Sequence, residues 1–135
     1  MQLDFKVLVC GGREYGWSTN SNRQKMPNVQ EVDYLVMKLN TLKSAVDELG
    51  RNLVIIQGEA RGADTLAKKW AELNGVETLD FHADWDTHGK KAGFIRNSDM
   101  LKEGKPDLVI AFKGGSGTKM MCEIAEKANV PVKRY

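Results

Sequence analysis

Short apolar runs alternate along the chain with stretches whose apolar residues recur every three or four positions, a pattern that predicts alternating strands and helices. Phe5–Cys10 (FKVLVC) reads as a first strand that runs directly into Gly11-Gly12-Arg13. Val29, Val32, Leu35, Val36, Leu39, Leu42, Val46 and Leu49 mark one face of a helix that closes at Gly50. Leu53–Gln57 is continuously apolar, as a strand covered on both faces should be. A second helix, Ala63–Asn74, puts Leu66, Ala67, Trp70 and Leu73 on one face and ends at Gly75. A third strand follows around Glu77–Ala83, then a polar loop Asp84–Lys91 and a helix over about Ala92–Lys102. Leu108–Phe112 is the fourth strand, a helix is expected over about Thr118–Ala128, and Val130–Lys133 makes a short last strand. Glu14–Asn28 is polar and longer than the usual strand-to-helix connection of about 2–6 residues, so it is either a lid or an ordinary mobile surface loop.

This order predicts one α/β domain over residues 1–135, a Rossmann-like three-layer fold with a mainly parallel five-stranded sheet. In such sheets ligands sit beyond the carboxyl ends of the strands, where the strand order reverses. With the five strands in the order 3-2-1-4-5, Gly11-Gly12-Arg13 and Gly114–Thr118 would lie side by side.

Asp107–Thr118 (DLVIAFKGGSGT) organises the rest, because a strand there breaks into Gly114-Gly115-Ser116-Gly117-Thr118 at the start of a helix. Glycines allow close backbone approach, and the free amides and positive dipole end of a helix favour an anion, for which phosphate is the natural occupant. The alternative is a tight turn in which Ser116 or Thr118 merely caps the helix.

Charge makes this preference local. With 20 basic and 18 acidic side chains the formal net charge is only +2, so general attraction to nucleic acid or a membrane is not implied. Cys10 and Cys122 form neither a disulfide framework nor a zinc spacing, which suggests a reduced, cytoplasmic setting. No run approaches the ~18 apolar residues of a membrane span, and no metal-ligand cluster stands out.

Cys10-Gly11-Gly12-Arg13, Gly58-Glu59-Ala60-Arg61-Gly62-Ala63-Asp64, Ala83-Asp84-Trp85 with His88-Gly89-Lys90, Arg96-Asn97, and Pro106–Phe112 leading into Gly114–Thr118 occur in that order. Together they resemble the YspA, or cpYpsA-related, branch of the SLOG superfamily. The superfamily joins DNA-processing Smf proteins to LOG phosphoribohydrolases. The resemblance implies a Rossmann-like domain and a nucleotide-like ligand, such as a relative of NAD or ADP-ribose or a cyclic nucleotide signal, with no further cofactor required. Two positions depart from the LOG pattern PGGxGTxxE. Lys113 replaces the proline and Met121 stands where the glutamate that helps cleave an N-glycosidic bond would be; Glu123, two residues on, points roughly 200° away on a helix.

Each candidate residue has two readings. Arg13 either forks onto phosphate oxygens or pairs with a surface carboxylate. Asp64, beside Arg61 and Gly62, either accepts a ribose hydroxyl or caps its helix, and Glu59 is either a base or a solvated loop charge. Trp85 either stacks on a base or covers the core edge. His88 is either a general acid or base or a turn residue. Lys90 and Lys91 either belong to a solvated helix start or, because they oppose the dipole of the helix they precede, hint at an anion, while Arg96 and Asn97 are within reach of a phosphate and a base edge. Cys10 and Met121 read as packing.

Three functions remain. The first is a module that binds a nucleotide-derived ligand as a sensor or sink, with phosphates at Gly114–Thr118 and Arg13 and the base or ribose near Glu59–Asp64 and Trp85. The second is a nucleoside or nucleotide N-glycosidase using Glu59, His88 or a downstream carboxylate. The third, a DNA-associated protein, is disfavoured by the near-neutral charge and the lack of a basic stripe. A homo-oligomer is open, since the Glu14–Asn28 loop either closes over the ligand or meets another subunit.

Overall fold

A computed structural model describes residues 3–135. Five parallel strands form one sheet: β1 (Asp4–Cys10), β4 (Asn52–Gln57), β5 (Glu77–Asp80), β6 (Leu108–Ala111) and β7 (Val132–Arg134). Their order is β5-β4-β1-β6-β7, so the strands follow 3-2-1-4-5 when only this sheet is counted. Val7 of β1 aligns with Ile55 on one side and Leu108 on the other. Strand order therefore reverses at β1.

Helices cover both faces. Alternation along β1 sends Val7 and Val9 to the face packed by α1 (Val29–Glu48) and α2 (Ala63–Leu73), where they meet Leu35, Leu39, Ala67 and Trp70. Leu8 and Cys10 turn to the opposite face, against Met100 of α4 (Ala92–Lys102) and Met121, Cys122 and Ala125 of α5 (Ser116–Lys127). A fully buried leucine contributes about 1.5–3 kcal/mol, so two apolar layers of this kind are the main source of stability. The Trp70 indole also donates to Asn40 Oδ1 at 2.8 Å, which ties α2 to α1.

The polar stretch 14–28 is more ordered than its composition suggests. It forms an antiparallel hairpin of β2 (Trp17–Thr19) and β3 (Lys25–Pro27), whose residues are all exposed and so show no apolar alternation. Asn20 builds the turn, its Oδ1 accepting from the amides of Asn22 and Gln24. Asn28 N donates to Gly16 O at 2.7 Å and closes the base of the hairpin.

Element ends also shift. The third sheet strand stops at Asp80, not Ala83, because its register with β4 ends at Gln57↔Asp80. Trp85–His88 is a short helix, α3, capped by Asp84, whose Oδ1 accepts from Thr87 N at 3.1 Å. A 3-10 turn, Gly89–Lys91, joins it to α4. α5 begins at Ser116, two residues earlier than expected. No helix among the described residues is long and apolar enough to cross a membrane.

Candidate functional site

Three loops meet at the carboxyl end of β1. Gly12 N donates to Lys113 O at 2.9 Å, and Gly12 O accepts from Tyr15 N at 3.1 Å and from Ala63 N at 3.3 Å. Only glycine fits at position 62, where φ is +80° and a Cβ would overlap Gly12 O and stand 2.8 Å from Arg13 O. The Gly11–Arg13 turn, the Gly58–Asp64 loop and the Gly114–Thr118 turn are thereby locked edge to edge.

They enclose a cleft of about 430 Å³. Its lining takes in Gly11, Gly12 and Arg13 and, beside them, the start of α5, Gly115, Ser116, Gly117 and Thr118. Gly115 is the N-cap of α5 and no side chain caps that end, so the first-turn amides have no side-chain partner among the described residues. The capping reading of Ser116 and Thr118 is not realised. Trp85, Lys90, Arg96 and Asn97 line the cleft from the other side, and Cys10, Met100 and Met121 form its floor.

Charge inside the cleft is one-sided. Arg13, Lys90 and Arg96 reach it, against Asp64 as the single acidic lining residue. Arg13 is in no salt bridge among the described residues, and its guanidinium carbon lies 5.3 Å from the centre of the Trp85 ring. Arg96 is held more firmly, with Nη1 donating to Gly58 O at 2.8 Å and Nε to Asn97 Oδ1 at 3.4 Å. Burial draws the Arg96 pKa below its ordinary value, against the pull of the Asp64 carboxylate.

Asp64 does not cap α2. It is 5% exposed, and its Oδ2 accepts from Gly58 N at 3.0 Å and Ala60 N at 3.3 Å. Oδ1 has no hydrogen bond among the described residues and opens onto the cleft. Burial raises its pKa to about 6, opposed by the Ala60 and Gly58 amides and by Arg96. Asn97, also 5% exposed, donates through Nδ2 to Gly117 O at 3.3 Å and so braces the start of α5.

The remaining candidates are placed differently. Gly58, Glu59 and Arg61 line an adjoining cavity of about 320 Å³ that shares Arg13, Ala60, Trp85 and Arg96 with the cleft. Glu59 is exposed there with φ +57°, and Arg61 lies 3.8 Å from Glu14. His88 is exposed and lines none of these spaces, as does Lys91. Gly62 acts in packing, while Gly114 lines a third cavity on the hairpin side. Met121 is 1% exposed at the floor of the cleft, and Glu123 points away toward Lys119, 4.0 Å distant. Among the described residues no group of three His, Cys, Asp or Glu is placed to hold a metal ion.

Sequence reasoning missed Gly93, Phe94 and Met100 as cleft residues. They belong to ordinary helical or loop patterns and carry no signal of their own. Cys10 and Met121 do pack, as expected, but at the edge of the core where it becomes the cleft floor.

A parallel sheet covered on both faces, with an anion-favouring cleft where its strand order reverses, defines a Rossmann-like α/β domain. The chain belongs to the YspA, cpYpsA-related SLOG family, whose sequence profile matches residues 5–88. That match takes in Gly11–Arg13, Gly58–Asp64 and Trp85, and ends before Gly114–Thr118. The Gene 61 protein of Mycobacterium phage D29 is 44% identical over 96 residues, covering 64% of this chain and 76% of that protein. No solved structure matches.

Proposed function

We propose that the cleft captures a nucleotide or nucleotide-derived ligand, of the NAD or ADP-ribose kind or a cyclic nucleotide, and that the protein serves as a sensor or sink for it. The observation that carries this reading is the presence of an uncapped α5 N-terminus and the salt-bridge-free Arg13 in one cleft. Phosphate oxygens take the amides of Ser116–Thr118 and the Arg13 fork. Asp64 Oδ1 then accepts a ribose hydroxyl, and Trp85 offers a face to a base. Membership of the SLOG family favours the same ligand class.

A nucleotide N-glycosidase is the second reading, favoured by the protonatable Asp64 carboxyl inside the cleft. It requires Asp64 in place of Glu59 or His88, since His88 stands outside the cleft and Glu59 lies at the exposed rim of the adjoining cavity. Native mass spectrometry of the gently purified protein, with release of any retained small molecule, tests both when repeated after incubation with NAD, ADP-ribose, AMP and cyclic nucleotides. An intact bound nucleotide supports the binding module. Free base or ribose phosphate supports the enzyme, and the absence of both overturns the nucleotide reading.

A further inference from the structure

The cleft continues past the phosphate turn. Gly12, Arg13 and Gly115 line it on one side and, on the other, line a cavity of about 490 Å³ walled by the hairpin and the start of α1. That cavity is preformed. Asn28 N donates to Gly16 O at 2.7 Å, Glu31 Oε1 accepts from Gly16 N at 2.9 Å, and Tyr15 OH donates to Glu31 O at 3.1 Å. These bonds fix the hairpin against the helix, and Tyr15, Asn28 and Glu31, which make them, also line the cavity.

The two spaces repeat one chemistry. Trp85 stands in the cleft at 43% exposure and Trp17 in the hairpin cavity at 45%, each an aromatic face left half open in polar surroundings. Each space also presents a half-committed carboxylate, the hairpin cavity holding in addition Glu14, which is paired with Lys25 at 2.8 Å. Asp64 holds backbone amides with Oδ2 and leaves Oδ1 free; Glu31 holds Gly16 N with Oε1 and leaves Oε2 without a hydrogen bond among the described residues. A stacking face beside an open carboxylate oxygen suits a ring and a sugar hydroxyl. Arg13, with Gly12 and Gly115, lies between them, where the anion is expected.

We infer that the hairpin cavity holds the second planar end of a two-ended ligand, two nucleoside-like halves joined through phosphates that lie over Gly12 and Gly115. This rests on the nucleotide reading above and deepens it. A mononucleotide fills one space and leaves the other tryptophan idle, whereas a phosphate-linked pair engages both.

Calorimetric titration of the full chain with AMP, ADP-ribose and diadenosine diphosphate tests it, in the wild type and in Trp17→Ala. Trp17 is exposed, so the variant keeps its fold, which thermal unfolding verifies. Diadenosine diphosphate should bind at least about tenfold more tightly than AMP, ADP-ribose should fall between, and Trp17→Ala should remove the dinucleotide's advantage while leaving AMP within about twofold. Equal affinity for AMP and the dinucleotide, or an unchanged dinucleotide affinity in Trp17→Ala, overturns the second compartment and leaves nucleotide binding standing. Failure of all three probes to bind overturns the second compartment, and the nucleotide reading is then decided by the mass spectrometry with NAD and cyclic nucleotides.

Discussion

Gly62 presses against Gly12 so closely that its missing side chain is part of the architecture of the cleft. With φ at +80° and a Cβ that would overlap the Gly12 carbonyl oxygen, Gly62→Ala meets both backbone strain and a backbone clash. It should destabilise the protein by about 2 kcal/mol or more, read from chemical denaturation. Gly75→Ala, also at positive φ but with nothing within 4 Å, should cost less, about 1 kcal/mol.

Gly115 behaves in the opposite way. A Cβ there meets nothing within 4 Å, and an aspartate at this N-cap can accept from the first-turn amides that would otherwise hold an anion. Gly115→Asp should leave the thermal midpoint unchanged or slightly higher and abolish binding of phosphate-bearing ligands. Undiminished affinity for AMP or ADP-ribose in that variant would remove the phosphate site from α5.

Arg13 is exposed and touches the protein mainly through the Trp85 ring, so Arg13→Ala should change stability by less than about 1 kcal/mol. The same change should weaken phosphate ligands by roughly tenfold or more, because a charge-assisted fork is lost. Arg13→Lys should restore only part of the affinity, since an ammonium cannot form two parallel bonds. Full recovery in the lysine variant would show that charge alone matters.

Asp64 links stability to pH with a definite sign. Its folded pKa of about 6 lies above the ordinary 3.8, so between these values the folded chain keeps a proton that the unfolded chain releases. The contribution is greatest below the unfolded pKa, declines as pH rises through the window, and is lost above the folded pKa, a change of about 3 kcal/mol. Asp64→Asn lacks the titration. Denaturation at several pH values should show the variant gaining on the wild type by roughly that amount from about pH 4 to pH 7, while affinity for ribose-bearing ligands falls. A constant difference across that range would mean that Asp64 titrates normally.

Much of the fold is legible in the chain because β1, β4 and β6 are covered on both faces. Val7, Leu8 and Val9 must all be apolar, and so must Leu53–Ile56 and Leu108–Ile110, which makes each strand visible as an unbroken run. The hairpin is invisible for the converse reason. Trp17–Thr19 and Lys25–Pro27 are exposed on both sides, and their pairing rests on backbone bonds and the Asn20 turn.

The glycine turns and their cations announce an anion site locally, since Gly114–Thr118 and Gly11–Arg13 each sit where a strand ends. Which side chains share that site was not local. Strand order brings Gly12 N to Lys113 O across a hundred residues, and only the packing of α4 carries Arg96 and Asn97 to the same cleft while leaving His88 outside it. The roles of Asp64 divide in the same way: its place at the start of a helix is written in the sequence, whereas its raised pKa comes from burial by surrounding chain segments. The sequence by itself determined the alternation of elements and the loops that can approach a phosphate, because burial period and glycine content act over a few neighbouring residues. Tertiary structure decided the composition, charge and two-sided shape of the cleft, because contacts between distant segments depend on how the sheet is assembled.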